Sequence, residues 1–283
     1  MNGKDIIMIY ETLNLWAEHP EATLTSYCPD MTKELRLTPR RTVIVCPGGG
    51  YHFLSDREAE PIAFQFMAAG FNTFILRYSV GPQITPWAPQ IEAALAIKYV
   101  RENAEKYNTD PGKIFICGFS AGGHLAASAG TLWNRAPVLE AIGAADAAAG
   151  RVARPDGTIL SYPVITLVKG KHKGSFVNLT GQADPTPDSI GEFALDRSVD
   201  DETAPAFLWH TFSDGTVPVE CSLLYSSALA AHGIPFELHV YPAGVHGLSL
   251  ANEFVYSGRP QSEVPYVQNW IRHATAWVEA FGK

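Results

Sequence analysis

The chain of 283 residues is long enough for two average domains, although single α/β domains of about 200–250 residues are routine. Apolar residues make up 46% and charged residues 18% of the sequence, which is ordinary for a globular protein with a sizeable core. The net charge of −8, without any basic stripe, argues against nucleic acid and anionic membrane surfaces as partners.

Targeting and metal-binding signals are weak in this sequence. Glu11 and Asn14 interrupt the apolar start where a signal peptide needs a continuous run, and no window reaches the length of a membrane span. The sequence therefore predicts a cytoplasmic protein, unless a leader precedes it. A homodimer is possible.

Neither a metal nor a cofactor is expected, because the histidines are scattered and no HExxH occurs. His124 is expected to bond a neighbouring loop, and His210 to be a core residue. The cysteines are expected to be reduced and buried: Cys28, Cys46, Cys117 and Cys221.

Strand-like and helix-like segments alternate along the first half of the chain. "TVIVCP" at 42–47, for example, is typical of a buried strand, and it is closed by a proline and three glycines. The predicted elements are strands at 6–10, 23–27 and 42–47, a helix at 58–70, a strand at 71–80, a helix at 89–107, a strand ending before Ser120 and a helix at 121–133.

The alternation weakens between 150 and 203, where Gly, Pro and Asp are frequent. We interpret this stretch as a cap-like excursion that includes "LSYPVI" at 160–165 and a short helix near 192–197. Strands at 205–214 and 236–244 then alternate with helices at 220–232 and 266–281. The pattern predicts a single α/β domain over 1–283, with a mostly parallel, doubly wound sheet flanked by helices.

One serine lies between two glycines in "ICGFSAGGHLAA" at 116–127, after an apolar strand and before a small-residue helix. Gly118, Ser120 and Gly122 match G-x-S-x-G in the strand–turn–helix context that the motif requires. Such a tight turn strains the serine backbone and leaves no room for flanking side chains. The hydroxyl then lies beside a helix N-terminus, which favours negative charge. Ser120 is the candidate nucleophile; the alternative is a chance match in a Gly/Ala-rich helix start.

A nucleophilic serine needs a base and an acid that orients the base, here in the order Ser, Asp or Glu, His. Asp214 ends a predicted strand, and His246 follows another. Both therefore belong to the sheet edge where doubly wound folds build their sites. A turn-forming aspartate and a loop histidine are the plain alternatives, but their joint order favours a triad. Asp184 precedes its strand and is the weaker candidate for the acid.

The glycine run in "CPGGGYHF" at 46–53 is a candidate oxyanion hole, because bare backbone after a strand can point N–H groups at a developing charge. Gly49 and Gly50 are the candidate donors there, with Ala121 as the donor next to the nucleophile. An ordinary turn is the alternative. A phosphate-binding loop is weakly supported, because neither GxGxxG nor GK[ST] is completed.

Taken together, these motifs resemble the α/β-hydrolase fold, and more narrowly the HGGG-type esterases. The nearest resemblance is to bacterial carbohydrate esterases related to acetylxylan and feruloyl esterases. Pro47 departs from the family pattern, because it stands where HGGG has histidine; this departure concerns the shape of the loop more than its chemistry. The matching stretches are "CPGGGY", "GFSAGGHLAA", "SYPVI", "HTFSDGTVP" and "GVHGL".

The resemblance implies a serine carboxylesterase that removes short acyl groups, above all acetyl, from sugars or oligosaccharides through an acyl-enzyme. A prolyl-peptidase-like serine peptidase, a generic small-ester esterase or lipase, and a non-catalytic relative are the alternatives. The predicted cap has few large aliphatic residues, which argues against long acyl chains. Aromatic residues near the predicted mouth are candidates for stacking on sugar rings: Tyr51, Phe53, Trp87 and Tyr162.

Overall fold

One eight-stranded sheet organises the part of the chain that the computed structural model describes, which is residues 8–30, 39–81, 84–85, 87–255, 258 and 263–282. The strand order is β1-β2-β4-β3-β5-β6-β7-β8, with β1 and β2 antiparallel to their neighbours and all other pairs parallel. The strands are β1 (Met8–Asn14), β2 (Thr23–Pro29), β3 (Arg40–Cys46), β4 (Asn72–Arg77), β5 (Thr109–Phe119), β6 (Gly157–Ser161), β7 (Ala206–Thr211) and β8 (Phe236–Tyr241).

Helices cover both faces of this sheet. One face packs against α2, α4 and α8, and the opposite face packs against α1 and α9. The helices of the described residues are α1 (Glu60–Ala68), α2 (Ala88–Glu102), α3 (Ala104–Tyr107), α4 (Ala121–Thr131), α5 (Ala136–Ala141), α6 (Ala147–Gly150), α7 (Lys173–Thr180), α8 (Glu220–Ala231) and α9 (Trp270–Ala280). None of these helices is both long and apolar enough to cross a membrane.

The central strands have an apolar stretch where both of their faces are covered, at 43–46 in β3 and 114–117 in β5. In β3, Ile44 packs into the layer of α2, α4 and α8, whereas Val43 and Val45 pack into the layer of α1 and α9. Successive side chains of a strand point to opposite faces, so a strand buried on both sides reads as an uninterrupted apolar run. The predicted α/β-hydrolase architecture is confirmed, and the four cysteines are buried as expected.

The predicted excursion over 150–203 is wrong at its beginning. Residues 157–161 form β6, a central strand between β5 and β7, so "LS" of "LSYPVI" belongs to the sheet. The strand is only five residues long and follows a polar turn, which hid it in the sequence. The remaining excursion contains α7, which was not predicted, and two short 3₁₀ turns where a helix was expected near 192–197. Residues 6–7 of the first predicted strand lie outside the described residues.

A buried carboxylate at the start of α2 makes the stability of the fold depend on pH. Glu92 is 1% exposed and accepts hydrogen bonds from the Ser79 backbone N–H and hydroxyl. Burial raises the pKa of Glu92 from 4.5 to about 7 in spite of those bonds. Because the folded-state pKa is raised, the neutral form stabilises the fold below pH 4.5, and this contribution is lost as the pH rises through 7.

The Glu92→Gln variant should therefore match the wild type at pH 4.5 and exceed its free energy of unfolding by about 1–3 kcal/mol at pH 8. Urea unfolding at both pH values measures the difference. Glu102→Gln, at an exposed position of the same helix, is the control and should show no such pH dependence. A pH-independent difference for Glu92→Gln would contradict the assignment.

Candidate active site

Ser120 occupies the turn between β5 and α4 in a strained backbone conformation, with φ 54° and ψ −115°. Three backbone hydrogen bonds hold it there: its N–H donates to Ser161, and its carbonyl accepts from His124 and Val164. The flanking glycines are sterically required. A Cβ on Gly118 would lie 1.9 Å from the Gly122 carbonyl oxygen, and a Cβ on Gly122 would lie 2.2 Å from the Cys46 carbonyl oxygen.

Asp214 and His246 follow β7 and β8, and both reach Ser120 at the C-terminal edge of the sheet. His246 Nε2 lies 2.8 Å from Ser120 Oγ, and His246 Nδ1 lies 2.7 Å from Asp214 Oδ2. Nδ1–H therefore donates to the carboxylate, which leaves Nε2 free to accept the serine proton. This geometry can turn the serine hydroxyl into a nucleophile.

The environment keeps Asp214 ionised. Its side chain is fully buried, and its Oδ1 accepts the backbone N–H groups of Thr216 and Val217 at 2.9 Å each. Burial alone would raise the pKa of Asp214, but the neighbouring imidazoles of His210 and His246 and the Val217 backbone N–H hold that pKa well below its usual range. An ionised carboxylate beside Nδ1 stabilises the imidazolium that forms when Nε2 takes a proton.

The candidate oxyanion donors lie near Ser120: Gly49 and Gly50 line the same cavity, and Ala121 is the next residue. Within the described part of the chain, the N–H groups of Gly49, Gly50 and Ala121 donate to no protein acceptor. Ala121 is the first residue of α4, where the helix dipole also favours an anion. Gly49 and Gly50 have φ values of 136° and 65°, which favour glycine in a turn that exposes its amides. The three amides are free to donate, and the oxyanion hole stays a prediction.

Gly49 is suited to a test of that loop, because a Cβ there would lie 1.9 Å from the Phe53 carbonyl oxygen. Gly49→Ala should displace the amides and lower kcat by about 10²-fold, while the melting temperature falls by only a few degrees. Gly181→Ala is the matched control. Gly181 has φ 72°, but none of the described residues lies within 4 Å of the added Cβ, so this variant should retain full turnover. Equal losses of turnover and stability in Gly49→Ala would favour a purely structural glycine.

An open cavity of about 530 Å³ leads to Ser120 and His246. The loop at 48–55, which carries the candidate oxyanion donors and is called the oxyanion loop, forms one wall. The helix α7 and the residue before it form another, and the loop after Asp214 closes a third side. Phe53 and Val217 are the large apolar side chains among the lining residues. Polar lining side chains include His52, Arg57, His172, Ser175, Asn178 and Thr216.

Three of the four aromatic residues expected to bind substrate do not line this cavity. Tyr51 and Tyr162 are each 1% exposed, and neither lines the cavity; the hydroxyl of Tyr51 bonds His124, and that of Tyr162 bonds Glu58. Trp87 is also absent from the lining and packs on Phe193, 5.0 Å away between ring centroids. Large aromatic rings serve as packing residues here, and the sequence does not distinguish the two roles. Phe53 does line the cavity and is 57% exposed.

The other aspartate and histidines considered from the sequence make different contacts. Asp184 pairs with Lys173 at the surface, away from His246. His210 is fully buried between Ser222 and the Val217 carbonyl oxygen. His124 bonds the Phe193 carbonyl oxygen, and burial lowers its pKa to about 4, so it stays neutral at pH 7.

Several residues of the site were missed from the sequence. Glu58 is one of four charged residues within 56–60, and nothing in that run marks it as the buried one. Asn178 donates to the Gly50 carbonyl oxygen from α7, a helix that the sequence did not predict. His172 precedes the same helix, and burial lowers its pKa.

The parallel sheet, the strained serine at its C-terminal edge and the hydrogen-bonded histidine and aspartate define an α/β hydrolase. A family model described as BD-FAE matches residues 27–229, and the chain belongs to that family.

Curated relatives are esterases and xylan-degrading enzymes. The chain is 37% identical to endo-1,4-beta-xylanase B of Butyrivibrio fibrisolvens over 87% of its own length and 39% of that protein. It is 27% identical to the acetylxylan esterase of Xylanibacter ruminicola over 94% of its length and 51% of that protein. The chain thus spans about half or less of these relatives.

Solved structures match along nearly the whole chain. The acetyl ester-xyloside bifunctional hydrolase of Caldicellulosiruptor lactoaceticus superposes with a TM-score of 0.80 at 36% identity, over 99% of both chains. The carboxylesterase Cest-2923 of Lactobacillus plantarum gives 0.79 at 29% identity, over 97% of this chain and 98% of that one. These likenesses support a carboxylic ester hydrolase and do not favour the peptidase alternative.

Proposed function

We propose that this chain is a serine carboxylesterase that hydrolyses short acyl esters, above all acetyl esters, of sugars or oligosaccharides. The observation that carries the proposal is the continuous hydrogen-bonded chain from Ser120 through His246 to Asp214, at the floor of an open cavity. The unpartnered amides of Gly49, Gly50 and Ala121 support it.

The geometry supports a two-step reaction. Ser120 Oγ attacks the ester carbonyl carbon while its proton passes to His246 Nε2, and the free amides stabilise the negative oxygen of the tetrahedral intermediate. The intermediate collapses to an acyl-serine, and His246 returns the proton to the departing alcohol. Water then attacks the acyl-serine with His246 again as the base, which releases the acid and restores Ser120.

The cavity supports a short acyl group and a hydroxylated alcohol. Its lining contains few large apolar side chains, whereas a long acyl chain needs a broad apolar surface. Lining donors and acceptors such as Arg57, His172 and Asn178 suit hydroxyl groups. The similarity to the acetylxylan esterase of Xylanibacter and to the acetyl ester-xyloside hydrolase of Caldicellulosiruptor favours acetylated xylose units over a generic small ester.

A substrate panel tests this proposal. We expect acetyl p-nitrophenyl esters to be preferred over butyryl and longer esters, with acetate released from acetylated xylose or short xylo-oligosaccharides. Ser120→Ala is the control for background hydrolysis. Strong activity on octanoyl or longer esters, with none on acetylated sugars, would contradict the sugar assignment and favour a lipase.

The cytoplasmic location and the homodimer also stay proposals. The second is decided by the molar mass in solution, for which one chain contributes 30.8 kDa.

A further inference from the structure

Glu58 is a buried carboxylate that the reaction described above does not use. It is 3% exposed and lies just before α1, at the wall of the cavity. A buried carboxylate is costly unless hydrogen bonds satisfy its oxygens. Both oxygens of Glu58 are satisfied, and each by a different part of the site.

The first oxygen holds the oxyanion loop. Glu58 Oε2 accepts the Gly48 backbone N–H at 2.9 Å. Gly48 is in close contact with the nucleophile turn, because a Cβ on Gly48 would lie 2.7 Å from the Phe119 carbonyl oxygen and 3.2 Å from Ser120 Cβ. The bond therefore fixes the peptide that enters the run of Gly49 and Gly50.

The second oxygen holds the loop of the base through a tyrosine. Tyr162 donates its hydroxyl to Glu58 Oε1 at 2.6 Å, and the same hydroxyl accepts the Ser249 N–H at 2.9 Å. Burial and the nearby Glu58 carboxylate raise the pKa of Tyr162 well above its usual range, so the hydroxyl keeps the proton that it donates. The Tyr162 ring also packs edge-on against His246, with 5.2 Å between ring centroids.

The neighbouring residue reinforces the same link. Arg57 Nη1 donates to the Gly247 carbonyl oxygen at 2.9 Å, and the Ser249 hydroxyl donates to the Arg57 carbonyl oxygen. Residues 57–58 thus bond Gly247 and Ser249, which follow His246, as well as Gly48.

We propose that Glu58 is a positioning residue that holds the oxyanion loop and the His246 loop at a fixed separation, so that proton transfer and oxyanion stabilisation act on the same carbonyl group. This inference rests on the proposed function for its catalytic consequence. Its structural part, the coupling of the two loops through one carboxylate, is independent of substrate.

Glu58→Gln tests the link, because an amide has only one acceptor oxygen. If that oxygen keeps the Gly48 N–H, the amide nitrogen faces the Tyr162 hydroxyl, which loses the acceptor for its proton. We expect kcat to fall by about 10–100-fold with KM changed less than about threefold, since small displacements at such sites cost rate more than ground-state binding. Tyr162→Phe should lower kcat by about tenfold. The double variant should lose little more than Glu58→Gln alone, because both changes break the same link.

A second tyrosine–glutamate pair provides the matched control. Tyr27 donates to Glu60, the first residue of α1, at 3.1 Å, and neither residue is among those that line the cavity. Glu60→Gln and Tyr27→Phe should leave kcat within about twofold of the wild type. A similar fall in both sets of variants would reduce Glu58 to a general stabiliser and overturn the proposal, as would an unchanged kcat in Glu58→Gln.

Hydrogen–deuterium exchange provides a readout without substrate. Glu58→Gln should speed amide exchange in both 47–54 and 245–251, whereas Glu60→Gln should speed it in neither. Exchange that rises in only one of the two loops would overturn the coupling. If Glu58→Gln does not fold, Tyr162→Phe decides by the same criteria. An inactive wild type would refute the proposed esterase, and the exchange result would still decide the coupling.

Discussion

Ser120→Ala should lower turnover of a short acyl ester by about 10⁴–10⁶-fold, because the substitution removes the group that forms the acyl-enzyme. Folding should be retained, since the backbone of Ser120 is held by Ser161, His124 and Val164, and among the described residues the hydroxyl bonds only His246. We expect a melting temperature within about 3 °C of the wild type. Steady-state kinetics and thermal unfolding of the same preparation measure both quantities.

The control for this variant is Ser128→Ala, in the helix α4 that follows Ser120. Ser128 is 1% exposed, and its hydroxyl has no hydrogen-bond partner within the described residues, so its loss should leave turnover unchanged. If Ser120→Ala retained more than about a hundredth of the wild-type rate, Ser120 would not be the nucleophile.

Asp214→Asn should lower turnover by about 10⁴-fold with little change in structure. The amide oxygen can keep the bonds from Thr216 and Val217, which places the amide nitrogen opposite His246 Nδ1. Nδ1 must then accept rather than donate, so the proton of the neutral ring moves to Nε2. In that tautomer Nε2 cannot take the proton of Ser120.

The competing acid provides the control for this prediction. Asp184→Asn changes an exposed carboxylate that pairs with Lys173, and it should leave the rate within about twofold of the wild type. A large loss in Asp184→Asn together with a small one in Asp214→Asn would reverse the choice of acid.

The sequence predicted most of the sheet because the central strands are buried on both faces. The stretches 43–46 of β3 and 114–117 of β5 therefore appear as continuous apolar runs, and each is followed by glycines that a close turn requires. The glycines on either side identified Ser120 in the same way, because a Cβ on Gly118 or Gly122 would lie within 2.2 Å of a backbone oxygen. Asp214 and His246 could be predicted because each follows its own strand.

Local patterns did not reveal features that depend on long-range contacts. β6 is recognisable as a strand only because β5 and β7 lie on either side of it. Tyr51 and Tyr162 look like exposed binding residues in the sequence, yet their hydroxyls reach His124 and Glu58 inside the fold. Glu58 meets Tyr162 across 104 positions of sequence, a pairing that neither spacing nor periodicity indicates.

Covalent labelling with a serine-directed organophosphonate tests the central claim most directly. Peptide mass spectrometry of the inhibited wild-type protein should find the phosphonyl group on Ser120 alone. Labelling should be lost in Ser120→Ala and slowed in His246→Ala, because the base that takes the serine proton is then missing. A phosphonyl group on any other serine, or inhibition without an adduct on Ser120, would contradict the assignment of the nucleophile.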